Sequence, residues 1–116
     1  MAPPHNNLGV ALANQGKLTE AIAHFRKALE IEPHHAKAHL NLGMALYRQG
    51  KVNEAISEYR KSIASDPDHP NAYYNLGKAL EDEGKRDEAI AEYRNAFEVD
   101  SSFGPAAMAL QRLGEH

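Results

Sequence analysis

A fixed repeat of 34 residues is the feature that most limits what this chain can fold into. The stretch from Ala36 to His69 aligns without a gap onto residues 2–35 and onto residues 70–103. Leu-Gly pairs, turn glycines and Glu-Ala-Ile triplets recur in register. They begin at Leu8, Leu42 and Leu76, at Gly16, Gly50 and Gly84, and at Glu20, Glu54 and Glu88. Such self-similarity indicates stacked supersecondary units rather than one irregular globule.

Each unit is predicted to contain two helices, because apolar residues recur at spacings of three and four and never alternate as in strands. A short lone helix is predicted at the end of the chain. The predicted bounds are about 5–15, 20–32, 36–49, 54–65, 71–83, 88–99 and 105–113. Gly16 stands where a helix ends in a left-handed conformation. Thr19, Asn53 and Asp87 are predicted to cap the second helices, and Ser101 or Ser102 the last one.

Three glycines in mid-helix, Gly9, Gly43 and Gly77, predict close packing, because glycine costs about 1 kcal/mol there relative to alanine. The expected partners are the alanines of the paired helices. These are Ala21, Ala55 and Ala89. Leu8, Leu12, Ile22, Phe25 and their equivalents are expected to fill the core.

The repeat pattern resembles the tetratricopeptide repeat, a helix–turn–helix unit. The middle unit carries the resemblance with Leu42-Gly43, Leu46, Ala55, Tyr59 and Pro67. The resemblance implies an all-α solenoid, a right-handed superhelix of antiparallel hairpins. It also implies one domain over residues 1–116, with units 2–35, 36–69 and 70–103 and a capping helix 104–116. Departures are His5 and His39 at the first aromatic position and Ser101 in place of the closing proline.

The resemblance further implies that the first helices line a concave groove that binds an extended peptide or a partner helix. Asn7, Asn41 and Asn75 would form a ladder there, since an asparagine amide can pair with both N–H and C=O of a peptide backbone. The alternative is that they contact only water or a neighbouring helix. Other expected contacts are Lys37, Leu40, Met44, Tyr47, Arg48, Tyr74 and Lys78. Asn6, Val10, Asn14, Asn71, Glu81 and Asp82 complete the predicted lining.

One family specificity is predicted to be absent. Chaperone adaptors of this family hold a C-terminal tail through a clamp of Lys, Asn, Asn, Lys and Arg. The matching residues here are Asn6, Val10, Asn41, Asn71 and Asn75, of which only Asn41 agrees. Without the three cations a paired-carboxylate terminus is not neutralised, so we expect no binding of heat-shock chaperone tails.

Catalysis, cofactors and metals have little support in the sequence. Cysteine is absent, and no glycine-rich phosphate loop or nucleophile elbow is present. His35 and His39 have the spacing of two metal ligands, but no third ligand is close in sequence. We therefore expect no metal site, no cofactor and no enzymatic activity.

Charge and hydropathy exclude other partners. The 13 basic and 16 acidic residues give a net charge of −3, without the clustered basic face that nucleic acid needs. No apolar run reaches the roughly 18 residues of a membrane span, so a cytoplasmic protein is expected. The leading hypothesis is a scaffold for protein–protein interaction. The alternatives are a repeat module that self-associates through its last helix, or a piece of a longer array that regulates an attached enzyme.

Overall fold

The computed structural model describes residues 2–114, which form seven α-helices and contain no strand. The all-α prediction is therefore confirmed. The helices are α1 (Ala2–Asn14), α2 (Leu18–Ile31), α3 (Ala36–Arg48), α4 (Val52–Ser65), α5 (Pro70–Asp82), α6 (Arg86–Val99) and α7 (Gly104–Arg112).

The helices stack as a solenoid. Each first helix packs along its own second helix, as α1 does with α2, and each second helix then packs on the first helix of the next unit. Helix α7 covers α6 as α3 covers α2. The result is an elongated body of 41 × 26 × 21 Å in which each unit contacts mainly its neighbours.

The predicted caps of the second helices are wrong. These helices begin at Leu18, Val52 and Arg86, and their N-cap residues are lysines whose side chains make no capping bond. In the first unit the Lys17 N–H donates to Leu12 O at 2.9 Å and closes helix α1. The Lys17 carbonyl already accepts from Ala21 N. One residue thus ends α1 and begins α2, which leaves Thr19 inside the helix, as Asn53 and Asp87 are in the later units.

Neither predicted serine caps the last helix either. The N-cap of α7 is Phe103, without a side-chain bond. Ser102 instead donates to the Asp100 carboxylate from its N–H at 3.0 Å and from its hydroxyl at 2.6 Å. These bonds form a turn around Asp100 and lower the pKa of its carboxyl.

The turn glycines and the mid-helix glycines differ in role. Gly16, Gly50 and Gly84 have φ of 77 to 84°, as predicted. A Cβ on Gly43 would lie 2.6 Å from Cε1 of Tyr59, and one on Gly77 2.6 Å from Cε1 of Tyr93. Gly9 meets Phe25 in the same way. Close approach is confirmed, but its partner is an aromatic ring. At Gly43 the expected alanine is also near, through its backbone oxygen, Ala55 O, at 3.3 Å.

The core follows the predicted positions with one exception at the N-terminal end. Leu42 and Leu76 are 2% and 1% exposed, whereas Leu8 at the equivalent position is 46% exposed. Leu42 lies on α3, which packs against α2, and Leu76 lies on α5, which packs against α4. In each case the second helix of the preceding unit covers the leucine. No such helix precedes α1 in the described residues, so the prediction of a buried Leu8 is wrong.

No helix within residues 2–114 combines the length and the apolar character that crossing a bilayer requires.

Substitution of Gly43 by alanine tests the packing of glycine on an aromatic ring. The new methyl group would overlap the ring of Tyr59, which is 1% exposed and enclosed on all sides. We expect Gly43→Ala to lower the free energy of unfolding by about 2 kcal/mol in urea titrations.

Gly104→Ala is the matched control, because a Cβ there has no atom within 4 Å and its backbone is already helical. It should change stability by no more than about 0.5 kcal/mol. Equal losses in the two variants would contradict the packing role of Gly43.

Candidate functional site

The first helices of the three units lie together on one face of the solenoid. Helix α1 contacts α3, and α3 contacts α5, whereas the second helices touch one another at most marginally in the described chain. Neighbouring units are therefore tilted so that their first helices converge. This convergence makes the first-helix face the inner side of the curve, and all the predicted groove residues belong to these helices.

The asparagine series is only partly free. Asn41 donates its Nδ2 to Oδ1 of Asn6 at 3.1 Å, and Asn6 is 7% exposed. Asn6 is thus a structural partner rather than part of the accessible lining. Asn7 is exposed and Asn75 half-buried, and neither side chain hydrogen-bonds within the described residues. The Asn41 oxygen keeps its acceptor capacity, because an amide has more sites than this one bond uses.

A small cavity of about 130 Å³ opens between α1 and α3. Val10 and Met44, which are 36% and 42% exposed, stand at it. The complete lining is Val10, Ala13, Asn14, Phe25, Asn41, Met44, Ala45 and Arg48. Small-molecule pockets usually span about 300–1,000 Å³, so this cavity suits a single aliphatic side chain. Arg48 lies at its side and donates from Nη1 to Ala13 O at 3.2 Å.

An aromatic and charged cluster joins α3 to α5. The Lys78 ammonium lies 5.7 Å from the ring centre of Tyr47 and 5.6 Å from that of Tyr74, within cation–π range of both. The Tyr47 hydroxyl donates to the Asp82 carboxylate, and this bond raises the pKa of Tyr47 to about 12. The cluster holds the Lys78 charge in place on the groove surface.

Two of the predicted groove contacts are unavailable or redirected. Leu40 is only 6% exposed and belongs to the core, so the prediction of an accessible Leu40 is wrong. Glu81 accepts from Nη2 and Nη1 of Arg112, at 2.5 and 3.0 Å, and from the Tyr93 hydroxyl at 2.5 Å. The hydrogen bonds from Arg112 make the largest contribution to lowering the pKa of Glu81, and the Tyr93 hydroxyl adds to it. The Arg112 contact also fastens α7 to α5. Lys37 and Asn71 are exposed at the first turns of α3 and α5.

Three side-chain bonds across the groove share a spacing that the sequence reading missed. Asn6–Asn41, Ala13–Arg48 and Tyr47–Asp82 each join residues 35 apart, one more than the repeat period. Pairing each polar groove residue with the residue 35 positions before or after it would have found them. The Glu81–Arg112 pair has a spacing of 31 and shows no such signal.

The histidines near the turn between α2 and α3 serve structure. His39 contacts Glu58 Oε1 through Nδ1 and Pro33 O through Nε2, both at 2.8 Å. The Nδ1 of His35 accepts from Ala38 N at 3.0 Å and caps α3. Both nitrogens of His39 are occupied, so this pair is not a metal site. Residues 2–114 hold no cluster of three or more His, Asp or Glu fit for a metal ion.

Larger but more open hollows lie between the second helices. One of about 300 Å³ is flanked by Arg26 and Leu29, and its counterpart of about 370 Å³, one unit later, by Arg60 and Ile63. A third hollow, of about 510 Å³, lies elsewhere, between the α2–α3 turn at Pro33 and His34 and the end of α4 at Ser65. Their recurrence reflects the gaps that curvature opens on the outer side of a stack. Size alone therefore does not favour them over the first-helix face.

Comparisons with known proteins agree with this geometry. A family model described as tetratricopeptide repeat matches residues 6–70, 40–102 and 74–116. The chain is 25% identical to the first TPR of Spaghetti (RPAP3) bound to the HSP90 peptide SRMEEVD, with a TM-score of 0.93 over 97% of this chain and 90% of that one. The first TPR domain of human RPAP3 gives 25% identity and a TM-score of 0.93 over 98% and 90%.

A further similar structure is YrrB, described as a TPR protein with an unusual peptide-binding site. Its TM-score is 0.88 at 24% identity, over 95% of this chain and 57% of that one, and it shows the shared fold alone. No curated protein sequence matches the chain.

The Glu81–Arg112 pair predicts a pH-dependent attachment of α7. The folded-state pKa of Glu81 lies below its ordinary value. The pair therefore stabilises the fold above the unfolded-state pKa of the carboxyl, and this contribution is lost as the pH falls through the folded-state pKa. Arg112→Ala should cost about 1 kcal/mol at pH 7, since the guanidinium is largely exposed, and less at pH 3.

Urea titrations of both proteins at the two pH values measure this difference. Lys27→Ala is the control, because Lys27 has no ion pair within the described residues. A cost for Arg112→Ala that stays the same at acid pH would show that the carboxylate is not its partner.

Proposed function

Because the chain belongs to the tetratricopeptide repeat family, we propose that it is a non-enzymatic module that binds an extended peptide across its first helices. The observation that carries the proposal is the composition of the first-helix face. On this inner surface, free amide groups, a cavity the size of a side chain and a fixed cation lie next to one another. The peptide held by the Spaghetti domain, which has the same fold, supports a peptide as the ligand class.

The amide groups would hold the backbone of the peptide. Asn7 and Asn75 offer both a donor and an acceptor, and Asn41 offers its remaining acceptor. Such contacts do not depend on the side chains of the ligand. They supply affinity and direction, while the neighbouring groups select the sequence.

Two neighbouring features would select the side chains. The cavity beside Met44 takes an aliphatic residue, and Lys78, held on the rings of Tyr47 and Tyr74, faces an acidic one. The features belong to adjacent first helices, which pack at roughly 8–10 Å. An extended peptide covers that distance in about three residues. The preferred ligand is therefore a peptide with an aliphatic residue and an acidic residue about three positions apart.

Self-association is the second candidate, favoured by apolar residues left uncovered near both ends of the stack. Leu8 is 46% exposed on α1, and Met108 is 70% exposed on α7. Light scattering of the wild type and of Met108→Ser decides whether α7 mediates assembly. A monomer in both samples would eliminate this candidate and leave peptide binding in place.

The asparagine series is tested by the triple variant Asn7→Ala/Asn41→Ala/Asn75→Ala. Peptides that carry the predicted pair of residues are first selected on an array, and their affinities are then measured by fluorescence anisotropy. Each lost contact weakens binding by about 0.5–1.5 kcal/mol, so the triple variant should bind more than about tenfold more weakly.

The matched control changes residues at the same 34-residue spacing on the second helices, Lys27→Ala/Lys61→Ala/Asn95→Ala. It should bind like the wild type. Equal binding by both triple variants would place the ligand elsewhere, and failure of the wild type to bind any selected peptide would refute the proposal.

The missing clamp gives a separate prediction about SRMEEVD, the peptide in the Spaghetti complex. Asn6 and Asn71 stand where the clamp needs lysines, and Asn6 is buried against Asn41. We expect no measurable binding of SRMEEVD by calorimetry. Binding that disappears when the C-terminal carboxyl of the peptide is amidated would overturn this prediction.

A further inference from the structure

In each unit, one position on the first helix faces one position on the second helix, and the residue types of this pair differ from unit to unit. The pairs are His5 and His24 in the first unit, His39 and Glu58 in the second, and Tyr73 and Glu92 in the third. In the second unit the imidazole contacts the carboxylate at 2.8 Å. In the first unit a second imidazole stands in place of that carboxylate, so two potential metal ligands face each other.

The two rings meet through the same nitrogen. The Nδ1 atoms of His5 and His24 lie 3.3 Å apart, and the ring planes differ by 22°. A hydrogen bond between these atoms requires the Nδ1–H tautomer of one ring and the Nε2–H tautomer of the other. Neither ring has another side-chain hydrogen bond within residues 2–114. Both rings are half-buried, so the pair is reachable from solvent.

The separation of the two nitrogens matches that of two ligands on one zinc ion. Zinc–imidazole bonds of about 2.0–2.1 Å in tetrahedral geometry place two ligand nitrogens roughly 3.3 to 3.4 Å apart. The hydrogen-bonded pair is therefore already at the spacing that coordination requires.

We propose that His5 and His24 form a two-histidine site for a divalent transition metal of the zinc type. On binding, the donor ring moves its proton from Nδ1 to Nε2, both rings remain neutral, and both Nδ1 atoms coordinate the ion. With two protein ligands, water or a group from a partner occupies the remaining positions. Bound metal would join α1 to α2 and stabilise the first hairpin.

The other histidines do not reproduce this arrangement. His39 has both nitrogens engaged, and the Nδ1 of His35 accepts a backbone N–H. The Nδ1 of His69 is buried without a hydrogen-bond partner, and no second imidazole contacts it within residues 2–114. His34 is exposed next to His35 and is the main competitor for adventitious metal.

Thermal unfolding of the full chain, followed by circular dichroism with Zn²⁺ and with Mg²⁺, tests the site. Zn²⁺ should raise the Tm of the wild type by about 5 °C in a saturable manner that a chelator reverses. Mg²⁺, which prefers oxygen ligands, should have no effect. Imidazole NMR signals should show that Zn²⁺ shifts Nδ1 of both His5 and His24.

Two variants each remove one ligand, so a folding defect in one does not decide the outcome. His24→Gln keeps a hydrogen-bonding side chain, and His5→Tyr installs the residue that the third unit has at Tyr73. Both should lose the Zn²⁺ effect, whereas His34→Ala/His35→Ala should keep it. The proposal is wrong if Zn²⁺ leaves the wild type unchanged, or if the effect survives in His24→Gln and His5→Tyr. It is also wrong if only His34→Ala/His35→Ala abolishes the effect.

Discussion

The fit of a glycine on one helix against an aromatic ring on the next sets the geometry of the whole stack. Tyr59 and Tyr93 lie so close to Gly43 and Gly77 that a single methyl group would overlap the ring. The helices of a unit are thereby held at one separation and one rotation. Because the fit recurs every 34 residues, each unit presents the same faces to its neighbours, and the units add in one direction.

This stacking also determines how the side chains of the inner face are arranged. Convergence of the first helices brings residues that are 35 apart into contact, so polar side chains bond across units and are partly immobilised. A surface whose side chains are already held loses less entropy when a ligand binds. The same bonds reduce the number of free groups, which leaves an apolar part around Met44 and a cationic part around Lys78.

The ends of the stack obey different requirements from its middle. In the first unit, Leu8 lacks the second helix that covers Leu42, and a histidine replaces the carboxylate found at Glu58. At the other end, Arg112 of α7 contacts Glu81 of α5. This contact helps to hold α7, which packs on α6 but is not followed by a second helix of its own unit in the described chain. Terminal elements of a solenoid depend on such individual contacts because they have one neighbour instead of two.

The sequence by itself determined the architecture. The period, the spacing of apolar residues and the turn glycines were sufficient to predict the helices, their pairing and most of the core, because each of these properties depends on residues close together in the chain. Tertiary structure decided which polar groups are free. Asn6 and Asn41 are both asparagines of first helices, and only the tertiary structure shows that they bond across units and that Asn6 is buried. The same holds for Leu40 in the core, for the capping role that Thr19 lacks, and for the meeting of His5 with His24. Hydrogen bonds and burial depend on how neighbouring helices are rotated against each other. That rotation results from all the packed side chains together, so no single unit of the repeat reveals it.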